Sequence, residues 1–103
     1  MKDENMFKAK IFYALSDPDR IRILEILRDG EKCVCEIILQ LGLIQPIVSR
    51  HLKIMKECGL VTCRKDKNRR LYSVTNPSLF KIVDSVSDEL IKILSEYAIA
   101  QIV

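Results

Sequence analysis

A mainly α-helical single domain carrying one β-hairpin is the fold class that this 103-residue sequence predicts, on three observations. The chain is 49% hydrophobic and 30% charged, too apolar for disorder and sized for one modest core. It has three glycines, three prolines and no tryptophan, too few turn residues for an all-β sandwich. Apolar residues recur at helical spacing along most of it and give way to β-favouring runs between Leu60 and Val74. One domain over residues 1–103 is expected. No apolar run approaches the roughly 18 residues of a bilayer crossing, and Met1–Asn5 lacks the apolar stretch of an export signal. The expectation is a cytoplasmic protein with no membrane partner.

Each element has its own signal. Met6–Leu15 reads as a helix through Phe7, Ile11, Phe12 and Leu15 and stops at Ser16. Asp17-Pro18 then supplies an N-cap acceptor and a proline at the first helical position, opening a second helix that ends at Asp29-Gly30. Cys33–Leu41, with Val34, Ile37, Ile38 and Leu41 apolar, forms a third helix closed by Gly42. Gln45-Pro46 opens a fourth, running to about Cys58, with Val48, Leu52 and Met55 inward and Ser49, Arg50 and Lys53 outward. Helices three and four across a tight glycine turn make a helix-turn-helix. Leu60–Arg64 and Arg70–Val74 flank a turn at Asp66-Lys67-Asn68, a hairpin with a basic tip. After Asn76-Pro77-Ser78, a single long helix from Leu79 to Ile102 carries more apolar surface than one small domain covers.

The charge is concentrated in the middle of the chain. Residues 31–76 hold nine basic and four acidic groups, whereas residues 1–30 balance at six each. Between Arg50 and Arg70 the net is +6 in 21 residues, a density that points to a polyanion. Gln45, Ser49 and Arg50 suit base edges near the start of a recognition helix; Lys53, Arg64, Lys65, Lys67, Arg69 and Arg70 suit phosphates. No nucleophile–base–orienter set, phosphate-binding glycine loop or paired catalytic carboxylates can be assembled, so an enzyme is not expected.

Four cysteines without an export signal argue against a disulfide framework and for reduced thiols. Cys33 and Cys35 fall at a helix start, where free N–H groups and the helix dipole favour the thiolate. Two residues apart on an ideal helix, however, is about 200° around it, so one ion reaches both sulfurs only if that turn is irregular. Cys58 and Cys63 read as small core residues or additional ligands.

In order, the elements make a winged helix-turn-helix, and three stretches resemble the ArsR/SmtB-type transcriptional repressors. These are Leu15-Ser16-Asp17-Pro18-Asp19-Arg20-Ile21-Arg22-Ile23-Leu24, then Gln45-Pro46-Ile47-Val48-Ser49-Arg50-His51-Leu52-Lys53 with Gly59-Leu60-Val61, and Cys33-Val34-Cys35-Glu36-Ile37. The resemblance implies a homodimer joined through its first and last helices, bound to double-stranded operator DNA without any required cofactor. It implies a thiolate site at Cys33 and Cys35 for As(III), Cd(II), Pb(II) or Zn(II), whose binding releases the DNA. It also places His51 near DNA. Two departures stand out: Ile38 where arsenite sensors carry a third cysteine, and Ile44 where family members often have a capping serine. The alternative keeps the DNA-binding repressor with redox-switched or purely structural cysteines; a protein-interaction module is a remote third reading.

Overall fold

The computed structural model describes residues 3–102, folded as α1 (Glu4–Ala14), α2 (Pro18–Ile26), β1 (Lys32–Cys33), α3 (Val34–Leu41), α4 (Gln45–Glu57), β2 (Val61–Asp66), β3 (Arg69–Val74), α5 (Ser78–Asp84) and α6 (Asp88–Ile102). This is the expected winged helix-turn-helix. Asp17 caps α2 by accepting the Asp19 N–H at 2.8 Å, with Pro18 at the first helical position. Gly42 ends α3 at φ 68°, a left-handed conformation that an L side chain adopts only under strain. The hairpin turn places Lys67, not a glycine, at φ 57°.

The core gathers one face from each helix of the motif. Ile23, Leu24, Leu27, Ile37, Val48, Leu52, Met55, Leu60 and Val61 are all buried, with Ala14 and Leu15 from the end of α1 and Tyr72 from the wing. A 3-10 turn at Leu27–Asp29 continues α2, and Arg28 there clamps α5. Its guanidinium donates to Glu25 and to Asp84, 2.8 Å away at the nearest oxygen, and lies 4.6 Å from the Phe80 ring centroid. That pairing holds the Asp84 carboxyl below the usual aspartate range.

Two features depart from the expectation. The hairpin is a three-stranded antiparallel sheet in the order β1-β3-β2, because the two residues before α3 pair with the wing as Lys32↔Tyr72 and Cys33↔Leu71. The long closing helix is two helices, interrupted at residues 85–87. The Ser85 hydroxyl donates back to the Ile82 carbonyl at 2.6 Å, and the Ser87 hydroxyl accepts the Leu90 N–H at 3.1 Å, ending one helix and capping the next. No residue of α6 is buried. Its Ile91, Leu94, Tyr97 and Ile99, like Phe7 and Phe12 of α1, face solvent. Among the described residues no helix is long and apolar enough to cross a membrane.

Candidate nucleic-acid interface and thiol site

Helix α4 is amphipathic, and its two faces set the site. Val48, Leu52 and Met55 seat it in the core, leaving Gln45, Ser49, Arg50 and Lys53 exposed on the outer side. The wing stands beside it. Lys65 lies opposite Arg70 in the β2–β3 ladder and Asp66 opposite Arg69, with Lys67 at the tip; all four basic residues are exposed. Arg64 is differently placed, since its guanidinium reaches across β3 to Glu31 in two hydrogen bonds of 2.8 Å. Arg64 holds the Glu31 carboxyl below its usual range and is itself pushed up by it. This cation is already matched within the chain.

His51 was expected to approach DNA; its ring instead turns inward, 12% exposed at the side chain. On a helix, three residues past Val48 is only about 60° from it, the flank of the buried face. There His51 Nδ1 lies 3.2 Å from Arg20 Nη1, which fixes Nδ1 as the acceptor, while Nε2 lies 3.9 Å from Asp17 and 3.7 Å from Asp19. Arg20 is itself buried and donates to the Ala14 carbonyl at 2.8 Å and the Tyr13 carbonyl at 3.3 Å, capping the C-terminus of α1 with a cation. Asp17 is held below the usual aspartate range, first by the Asp19 N–H and then, against some burial, by His51. The cluster fixes α4 against α1 and α2. The role of Arg20 has one signal in the sequence, a basic residue six positions after a helix end.

The thiols correct two expectations. Cys33 and Cys35 are joined in a disulfide with Cα atoms 5.3 Å apart, not held as free thiols. Cys33 is also not inside α3: it is the N-cap, with extended φ −76° and ψ 156°, so the 200° separation of helical neighbours does not apply. Its Sγ accepts the Glu36 N–H at 3.3 Å, and the Glu36 carboxylate accepts the Cys33 N–H at 3.4 Å, a capping box built on sulfur. Cys33 is buried and Cys35 exposed. The other two thiols do not join them. Cys63 sits on β2 opposite Tyr72, with β3 between it and β1, and Cys58 lies beyond Ser49 by nine residues, about 13 Å along α4. Burial and contact with the Cys63 thiol push the Tyr72 phenol up.

A cleft of about 470 Å³ connects the two halves of this surface: Cys33 and Cys35 line it together with Gln45 and Ser49 of α4 and Arg69 and Arg70 of the wing.

Residues 17–62 match the model of the bacterial regulatory protein arsR family. The chain belongs to the ArsR family. It is 41% identical over 83 residues to an HTH-type transcriptional regulator of Methanocaldococcus jannaschii, covering 80% of this chain and 92% of that protein. It is 38% identical over 71 residues to the arsenical resistance operon repressor of Staphylococcus xylosus, covering 69% and 68%. A homodimeric winged helix-turn-helix DNA-binding domain from Mycobacterium bovis superposes with a TM-score of 0.77 at 28% identity, over 89% of this chain and 92% of that one. As an ArsR-family member this chain is a DNA-binding transcriptional regulator, not an enzyme.

Proposed function

We propose that the chain works as a homodimeric repressor that grips operator DNA with paired recognition helices and wings and releases it when the chemistry at Cys33 and Cys35 changes. The observation that carries this reading is the shared cleft: whatever binds the sulfurs sits between α4 and the wing, against Gln45, Ser49, Arg69 and Arg70. Dimerisation is supported by the apolar side chains of α1 and α6 that stay exposed among the described residues. A twofold pair presents two α4 helices to half-sites about 34 to 36 Å apart. Gln45, Ser49 and Arg50 would read bases; Lys53, Lys65, Lys67, Arg69 and Arg70 would meet phosphates. His51 orients α4 from behind.

The effector is a thiophilic ion of the class As(III), Cd(II), Pb(II) or Zn(II), and the Staphylococcus relative named as an arsenical resistance repressor supports that class. Once reduced, Cys33 and Cys35 lie close enough for both thiolates to bind one ion; any third ligand comes from water or from outside this cluster. A second reading is favoured by the linked pair itself: oxidation to the Cys33–Cys35 disulfide is the signal. Both readings are tested by fluorescence anisotropy of the chain on its own promoter fragment, reduced, oxidised, and reduced with each ion. One condition should weaken binding by about 5- to 150-fold. Equal affinity throughout removes the switch and leaves the DNA reading; no salt-dependent binding removes the DNA reading as well.

A further inference from the structure

The cleft beside the sulfurs has the volume of a small-molecule site, about 470 Å³, and its polar wall is cationic. Arg69 and Arg70 line it with Gln45, Ser49 and Tyr72, and no acidic residue does. Arg69 has Asp66 3.5 Å away, whereas Arg70 forms no ion pair among the described residues. The two sulfurs that meet this wall differ in access and in surroundings. Cys35 is exposed; Cys33 is 2% exposed and its Sγ takes the Glu36 N–H at the start of α3.

We infer that this cleft takes a small thiol bearing carboxylates, which opens the disulfide at Cys35. The inference rests on the second, oxidative reading above. The ligand thiolate attacks Cys35 Sγ, forming one S–S bond; the Cys33–Cys35 bond breaks and its electron pair leaves on Cys33. Nothing else is oxidised or reduced. Access selects Cys35 as the sulfur attacked. The Glu36 N–H and the α3 dipole stabilise the departing Cys33 thiolate, and a better-stabilised leaving thiolate leaves faster. Arg69 and Arg70 hold the carboxylates, so the adduct sets an anion on the cations that the wing offers to phosphate.

The test uses the oxidised full chain, acid quenching and intact-mass kinetics with mercaptosuccinate, 2-mercaptoethanol and cysteamine, each rate corrected for thiolate fraction and nucleophilicity. Mercaptosuccinate should react about tenfold faster than cysteamine at low salt, with 2-mercaptoethanol between them. High salt should erase the preference without any substitution, as should Arg69→Gln with Arg70→Gln. Peptide mapping should place the adduct on Cys35. Equal corrected rates, or an adduct on Cys33, overturn the inference while leaving the oxidative reading standing. A chain that forms no Cys33–Cys35 bond under oxidant overturns both.

Discussion

The buried Arg20 guanidinium donates to His51 Nδ1 at 3.2 Å and so links the end of α1 to the inner flank of the recognition helix. Its other acceptors are neutral carbonyls, those of Tyr13 and Ala14. Removing it strands buried acceptors and loosens α4 together.

Arg20→Ala should therefore destabilise the fold by about 2 to 3 kcal/mol, the scale of charge-assisted hydrogen bonds to buried groups. Urea unfolding should show a lower midpoint at an unchanged slope. His51→Ala should lower stability while leaving the salt slope of DNA binding unaltered, since the ring packs beside Arg20, Asp17 and Asp19 on the inner flank of α4; a changed slope would return His51 to the interface.

Acid should unfold the protein through its paired carboxylates. Asp17, Asp29, Glu31 and Asp84 are all held below their ordinary values, by the Asp19 N–H, Lys32, Arg64 and Arg28 respectively. A depressed carboxyl contributes stability that is complete above its unfolded value and is lost as pH falls through the folded one. Stability should thus hold down to about pH 5 and decline below the ordinary 4.5 of Glu and 3.8 of Asp. Thermal melts from pH 7 to 2 check this, and Glu31→Gln should flatten the upper part of the decline.

Because Arg64 is matched by Glu31, the wing cations should separate by salt dependence. Arg70→Gln or Lys65→Gln should reduce the log–log salt slope of DNA binding by about 0.9, the release of one phosphate's counterions. Arg64→Gln should leave it nearly unchanged. Glu31→Gln, which frees Arg64, should steepen it.

Charge placed on the apolar face of α6 should dissociate the dimer. Leu94 is more than half exposed in the protomer, so the fold should survive Leu94→Glu while light scattering reports a monomer. Operator affinity should then fall by about 10²- to 10⁴-fold, as the second half-site no longer binds at high effective concentration.

Ile44 occupies the N-cap of α4 with extended φ −77° and ψ 151° and no side-chain cap. Serine there needs no backbone change, and since Pro46 has no N–H it would accept from Ile47. Ile44→Ser should stabilise by about 0.5 to 1 kcal/mol in urea unfolding.

Most of this architecture was legible in the sequence because it is local. Asp17-Pro18, Gly42 and Gln45-Pro46 mark helix ends by their own chemistry, and the alternation around residues 66–68 marks the hairpin. Part of what escaped is set by distant partners, and part by local side chains that leave the apolar periodicity unbroken. Strand β1 is two residues long and exists because Tyr72 and Leu71 pair with it. The break between α5 and α6 lies under a continuous apolar periodicity and comes from two serine hydroxyls. The inward turn of the His51 ring was legible only in its angular distance from Val48, about 60° around the helix. The Arg64–Glu31 pair escaped because its two members lie 33 residues apart.

Cys33 ends β1, which pairs with the wing, and caps α3, the first helix of the reading motif, with nothing between. A covalent event at that sulfur thus happens at the joint itself: no chain of intermediaries is needed to inform either side, and a signal arriving there tilts both prongs of the clamp from their common pivot.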